Sequence, residues 1–246
     1  MRKIFTLVGQ YFLLMEKVLK KPDNSTVFWK QFVQEVEKVG LSSVPIVAIV
    51  SIFIGAVITI QTTYNITSPF IPKAYVGFMT RETMLLEFSS TMIALVLAGK
   101  IGSSIASEIG TMRITEQIDA LEIMGVNSAN YLILPKIVAA TLFNPLLMLM
   151  SFIIGLCGGG LIALTTDVIT PADYIEGLRM EFKPFYIVYG VIKMATFNFI
   201  ITSISAFYGY YASGGSRNVG QSATNGIVSC SLCILIFNLV LTHVLL

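Results

Sequence analysis

Glu87 and Lys193 are the two residues whose chemistry most needs explaining, because each sits inside a long apolar run. A charge within a bilayer is costly, so such side chains face protein or water and pair with each other or with a polar substrate. Both fall toward the outer half of their runs, which makes them candidate partners. Two roles stand open for Glu87, a structural ion pair and a direct substrate contact. Lys100 lies in the same run as Glu87 but roughly 20 Å further along a helix, too far to pair with it. Snorkelling to the inner interface is its simplest role. Cys230 and Cys233 form a CxxC, with His243 ten residues further on. Metal or redox chemistry would need a second pair or a His cluster, and the sequence has neither, so these thiols read as small apolar helix residues. No Gly-x4-Gly-Lys-Ser/Thr loop is present, so ATP is not expected to bind this chain. Gly214-Gly215-Ser216-Arg217 with Gly220 reads as a flexible turn. Without a His-Glu-x2-His, a Ser/His pair or paired carboxylates on one helix, no catalytic site, resident cofactor or metal is expected.

The elements that must position these residues are membrane helices. The chain has 246 residues, of which 55% are hydrophobic and 12% charged, and its mean hydropathy is +0.80. A soluble domain needs more charge to cover its surface, whereas a bilayer core of roughly 30 Å absorbs apolar helices of about 20 residues. The expected fold is an all-α integral membrane protein. A net charge of +2 is too small to indicate a nucleic-acid partner. Five spans are expected, near 44–64, 83–107, 131–164, 185–211 and 223–246, forming a permease domain over 44–246. The third is long for one crossing and holds Pro135, Pro145 and Gly158-Gly159-Gly160, but nothing loop-like divides it, so one kinked helix is expected. Ser68-Pro69 and Pro72 mark a loop after span one.

Residues 1–43 are expected to form interfacial helices. Ile4, Leu7, Val8, Tyr11, Leu14, Met15 and Val18 recur at helical spacing, with Lys3, Thr6, Gln10, Lys17 and Lys20 on the other side. That basic amphipathic stripe suits the surface of a membrane rich in anionic lipid. A signal peptide fits less well, because Glu16-Lys17 follow the stretch and no small-x-small cleavage site appears. Pro22-Asp23-Asn24-Ser25 breaks the helix, and Phe28, Phe32, Val36 and Val39 align a second amphipathic piece. With the N-terminus inside, eleven Lys and Arg fall on the cytoplasmic side, against Lys73, Arg81, Arg179 and Lys183 outside. The excess favours a cytoplasmic N-terminus and, with five spans, an external C-terminus.

Between spans two and three runs the polar segment Glu108 to Val126. Thr115 is a plausible cap for a helix beginning at Glu116, and Gly125 is a natural stop. Glu116, Asp119 and Glu122 then form an acidic face, and Ile114, Ile118 and Leu121 an apolar ridge. A solvated linker has this form, and so does a helix that a soluble motor grips.

The run from Ala98-Gly99-Lys100 through Ser107-Glu108-Ile109-Gly110-Thr111-Met112-Arg113 to Glu116-Gln117-Ile118-Asp119-Ala120-Leu121-Glu122-Ile123-Met124-Gly125-Val126, with Tyr131 and Pro135 after it, closely resembles the MlaE family of ABC-transporter permeases. The resemblance covers the whole chain. It implies a homodimeric transmembrane unit in the bacterial inner membrane, which works with a cytoplasmic ABC ATPase that uses the ATP. It also implies an MCE-domain substrate-binding protein and movement of phospholipid or a related lipid between inner and outer membranes. The family's coupling helix maps onto Glu116 to Gly125, so Glu116, Gln117, Asp119, Ala120, Leu121 and Glu122 become ATPase-coupling candidates. The dimeric architecture places a lipid path between two copies, with Val57, Ile60, Gln61, Tyr64, Glu87 and Lys193 as candidates along it. The chain departs from the family at one point. Where members commonly have Arg-Glu-Leu-x-Pro, it has Leu86-Glu87-Phe88-Ser89-Ser90, which keeps the Glu and loses the Arg and the Pro. The competing function is an ion-coupled secondary transporter using Glu87 and Lys193 as ligands. That class commonly shows repeated halves, and no internal repeat is visible. An intramembrane enzyme lacks its catalytic groups.

Overall fold

The computed structural model describes residues 2–21, 25–66 and 70–246, with side chains from residue 5 onward. The side chains of Arg2, Lys3 and Ile4, the Pro22-Asp23-Asn24 break and the Ser68-Pro69 signal lie outside the described residues. The described residues are predominantly helical, without strands among them. Five helical runs are long and apolar enough to cross a membrane: Ser25–Asn65, Ala74–Ile114, Ser128–Thr165, Phe185–Tyr210 and Ser216–Leu245. Large apolar side chains such as Phe53, Leu142, Ile153, Leu161 and Leu239 lie exposed on them, as bilayer-facing surfaces require.

Helix α1 (Arg2–Val18) docks on the bundle. Leu14, Met15 and Val18 are buried, and the Tyr11 hydroxyl donates to Ser203 at 2.9 Å. Phe5, Phe12 and Leu13 remain exposed, so the helix is apolar on more than the stripe side. Helix α2 (Ser25–Glu35) runs through a π turn at Val36–Gly40 and a tight turn at Leu41–Ser43 into α3 (Val44–Asn65). The expected boundary at residue 43 thus falls within one helical run. The pitch changes just before Pro45, which has no N–H to give and crowds the preceding turn.

The second crossing begins at α4 (Ala74–Thr83), earlier than expected, and continues through α5 (Ile93–Leu97) to α6 (Ser103–Ile114). Two π segments interrupt it, Met84–Met92 and Ala98–Gly102. Glu87 lies in the first and Lys100 in the second, and such widened turns often mark functional sites. Lys100 directs its ammonium to the Ser42 carbonyl and to the hydroxyls of Ser42 and Ser43, the latter two at 3.1 and 3.2 Å.

Helix α7 (Gln117–Ile123) follows. Thr115 does not cap it. The Thr115 hydroxyl turns back to the Thr111 carbonyl at 2.8 Å, and Glu116 takes a left-handed conformation at φ 60° to reverse the chain. The expected start at Glu116 therefore moves to Gln117. Gly125, at φ +78°, ends α7 as expected: its N–H reaches the Glu122 carbonyl and that of Val126 reaches Leu121, both at 3.0 Å.

Helix α8 (Ser128–Thr165) is the expected single long helix, with Pro135 and Pro145 inside it. Its 38 residues span about 57 Å. Helix α9 (Pro171–Arg179) was not anticipated. Thr170 caps it, accepting from the Asp173 N–H at 3.2 Å. Helices α10 (Phe185–Tyr210) and α11 (Ser216–Leu245) complete the fold, α11 starting before the expected 223.

Small residues pack the helices within this one chain. A Cβ on Gly55 would lie 1.8 Å from the Gly155 carbonyl oxygen, and one on Gly158 would lie 2.2 Å from that of Ile52, so α3 and α8 touch backbone to backbone. Ser51 donates to Ser151 at 2.7 Å beside this crossing. The Asn144 side chain donates to Asn198, tying α8 to α10 where both residues are fully buried. At the far end, Gly77 and Gly177 let α4 and α9 cross closely.

Candidate functional site

Glu87 and Lys193 meet as their depths predicted, with the ammonium 3.1 Å from the carboxylate. The Leu86 carbonyl, within the π segment, also accepts from Lys193 at 3.1 Å. Tyr189, one turn earlier on α10, contributes its hydroxyl at 3.1 Å and its ring face at 4.8 Å. The Glu87 carboxylate also accepts from Thr91 and the Asn238 amide, each at 3.1 Å, and from Thr242 at 3.4 Å. The Tyr189 and Thr242 hydroxyls lie 2.9 Å apart, which closes the ring. Three crossings therefore converge on one carboxylate.

The pair is asymmetric. Lys193 is fully buried, whereas the Glu87 side chain is 40% exposed. The cation is locked inside and the anion faces outward, so Glu87 can still contact a polar group beyond the chain. Asn238 and Thr242 were missed in the sequence. They stand four residues apart in an apolar run, hence on one helix face, and that spacing is the signal that could have found them.

Arg81 does not join this group. It is 2% exposed and donates to the carbonyls of Leu178 and Met180 at 2.8 and 2.6 Å, closing the end of α9. Glu82 pairs with it at 2.6 Å, and the rings of Phe78 and Phe182 flank it.

Of the remaining path candidates, Val57, Gln61 and Tyr64 are exposed on α3 and Ile60 is half-buried. Among the described residues no hydrogen bond joins them to Glu87. A mainly apolar cleft of about 670 Å³ opens beside them, lined by Thr62, Asn65, Phe70, Tyr75, Met79 and Thr83 among others. Thr83 is one turn before Glu87, so the cleft lies next to the charged turn.

The other candidate region is α7, at the opposite end of the bundle. Ile118 is fully buried and anchors it. Asp119 is held by Arg113 at 2.6 Å. Glu122 accepts from the Tyr210 hydroxyl and the Ser128 hydroxyl, each at 2.9 Å, and these bonds hold its carboxyl below the usual carboxylate range. Two of the three acidic side chains are thus engaged within the chain. The outward surface includes Glu116, Gln117, Ala120 and Glu122, with Asp119 and Leu121 half-buried. To these the structure adds Ile123, 87% exposed, and Met124, 67% exposed. Two bare apolar residues just before a helix-ending glycine, outside the spans, were the available signal.

A third polar group lies near that end. Lys136, 4% exposed, bridges Glu35 at 2.7 Å and Glu108 at 2.9 Å, and Lys38 reaches Glu108 at 3.4 Å. The three cysteines are free, with Cys230 buried, and no group of His, Cys, Asp or Glu suited to a metal occurs among the described residues.

The model of the Permease MlaE family matches residues 32–244. A probable ABC transporter permease protein of Rickettsia prowazekii is 32% identical over 98% of this chain and 90% of its own length. A chloroplastic protein of Arabidopsis thaliana, TRIGALACTOSYLDIACYLGLYCEROL 1, is 31% identical over 88% of this chain and 61% of its own. The intermembrane phospholipid transport system permease protein MlaE of Haemophilus influenzae is 28% identical over 95% and 89% respectively. With its five membrane-length helical runs and a family match over most of its length, the chain belongs to the MlaE permease family.

Proposed function

We propose that this chain is the membrane subunit of an ABC transporter that moves phospholipid or a related lipid between the inner and outer bacterial membranes. A separate cytoplasmic ATPase docks at α7, two copies of the chain enclose the lipid path, and an MCE-domain protein exchanges lipid at the opposite end. One observation carries this reading. A single helical run, α4 to α6, bears the outward-facing Glu87, and the chain reversal at its end leads directly into α7 with its exposed apolar tip. That run is a mechanical connection between a polar group at lipid depth and a surface that a soluble motor can hold. The relatives named for phospholipid transport and for ABC permeases support it.

A lipid needs apolar walls for its chains and a few polar groups at one level for its head. Val57, Ile60 and Tyr64 supply wall; Gln61 and Glu87, with Lys193 behind it, supply the polar level. The exposed apolar face of α11, including Leu235, Leu239 and Val244, is where the second copy packs. With α7 on the cytoplasmic side, the N-terminus is cytoplasmic too, because Asn127 beside α7 donates to the Lys17 carbonyl at 2.9 Å.

The test is photo-crosslinking in cells. A probe at Val57, Ile60 or Gln61 is expected to capture lipid, and one at Lys17 much less. Equal capture at both places means that the probes report bulk membrane, and the path is then misplaced. An ion-coupled transporter would instead work without a co-purifying ATPase and would respond to collapse of the ion gradient.

A further inference from the structure

The carboxylate of Glu122 sits where three helices meet. It belongs to the last turn of α7. Its two donors are Ser128, the first residue of α8, and Tyr210, the last residue of α10. Both contacts are 2.9 Å, and the two hydroxyls are themselves 2.9 Å apart. The hydroxyl residues are buried, Ser128 at 1% and Tyr210 at 8% exposure, and the exposed Glu122 meets them at the surface of the bundle. Hydrogen bonds to a charged acceptor are the strong ones. We propose that Glu122, Ser128 and Tyr210 form a latch that passes movement of α7 to α8 and α10, so that Lys193 moves in step with Glu87. This rests on the reading that α7 docks the ATPase.

The need for such a latch follows from connectivity. Helix α7 follows α6, the run that bears Glu87, across the chain reversal at Glu116, so a pull on α7 reaches that run through one short turn. Lys193 is on α10, which is not adjacent to α7 in sequence. Among the described residues, the Glu122–Tyr210 bond is the hydrogen bond that ties α7 to α10. From Tyr210 to Lys193 is 17 residues of unbroken helix, about 26 Å, with no proline to absorb a displacement. Helix α10 also packs directly on α6, where a Cβ on Gly209 would lie 2.7 Å from the Ala106 carbonyl oxygen; the bond extends that coupling to α7 itself, beyond the reversal at Glu116. Asp119 does not serve this purpose, since its partner Arg113 lies on α6 itself.

The experiment uses the whole transporter, purified with its ATPase and reconstituted in phospholipid vesicles, and reads lipid moved per ATP hydrolysed. Tyr210→Phe keeps the ring and removes the donor. Glu122→Gln keeps an acceptor oxygen and removes the charge. The expected result is that Tyr210→Phe still co-purifies the ATPase and hydrolyses ATP, while lipid moved per ATP falls by about tenfold. Glu122→Gln is expected to lower that ratio too, by a smaller factor, because an uncharged acceptor makes the weaker bond. A Tyr210→Phe ratio within about twofold of the unsubstituted protein overturns the latch. A fall caused by misfolding alone would lower complex yield and ATP hydrolysis together with transport, and that pattern also counts against it. Failure of the unsubstituted chain to bring down any ATPase overturns the docking at α7 instead, and is recognised before any variant is compared.

Discussion

Lys136 shows what a single buried charge commits the protein to. Its ammonium is nearly inaccessible and answers two carboxylates, those of Glu35 and Glu108. Breaking a buried pair by removing one partner leaves an uncompensated charge, at a typical cost of about 3 kcal/mol or more. Lys136→Met is therefore expected to lower the melting temperature of the purified protein clearly. The double change Glu35→Gln with Lys136→Met is expected to recover part of the loss, and thermal unfolding in detergent reads both. Glu122 makes a pH prediction. Its carboxyl is held below the ordinary value of 4.5 by the hydrogen bonds from Tyr210 and then Ser128. A folded-state value below the unfolded one means that the ionised form favours the native arrangement. The contribution is complete above pH 4.5 and is lost as pH falls through the lower folded value. The protection of the α7 amides, relative to their intrinsic exchange at each pH, is expected to be unchanged from neutral pH down to about 5 and to fall below 4.5. Loss of protection already near neutral pH would contradict the assignment.

At the scale of the element, close backbone approach decides where helices cross. The α3–α8 crossing has no room for a methyl group at Gly55, whose added Cβ would strike the Gly155 carbonyl. Overpacking of this kind costs about 1–3 kcal/mol or more. Gly55→Ala is expected to reduce the yield of monodisperse protein on size exclusion, whereas Gly9→Ala, with open space around it, is expected to leave it unchanged. Helix α7 makes the complementary case, since its tip leaves Ile123 and Met124 exposed. Ile123→Asp with Met124→Asp is expected to cut co-purification of the ATPase about tenfold or more while the chain still inserts in the membrane. If the ATPase is retained in full, the apolar tip is not its handle.

For the molecule as a whole, the arrangement of ends makes a prediction about sidedness. Helix α1 is fastened near the α7 end, where Asn130 donates to the carbonyls of Val18 and Lys20 at 2.7 and 2.6 Å. Gln10 and Lys17 are exposed. Cysteines placed at these two positions are expected to react with an impermeant thiol reagent only from the cytoplasmic side, as is one at Ile123. Labelling of Gln10 or Lys17 from outside would overturn both the placement of α1 and the orientation of the bundle.

Composition and hydropathy alone determined that the chain is helical and crosses a membrane, because a bilayer accepts long apolar runs only as structures that satisfy their own backbone. Depth in those runs was enough to pair Glu87 with Lys193, since an isolated charge there has few other partners. The unity of α8 was also legible, as Pro135 and Pro145 lack any loop residues beside them. Other features depended on residues distant in sequence. Asn238 and Thr242 look like stray polar residues until α11 brings them to Glu87, 151 and 155 positions earlier. Thr115 has the composition of a cap, yet the reversal at Glu116 points its hydroxyl elsewhere. The acidic face of α7 was visible as a pattern, but only packing decided that Arg113, Tyr210 and Ser128 take up Asp119 and Glu122 and leave Ile123 and Met124 outside. Periodicity records which side chains share a face; which neighbour covers that face is set by helices that meet only once the chain has folded.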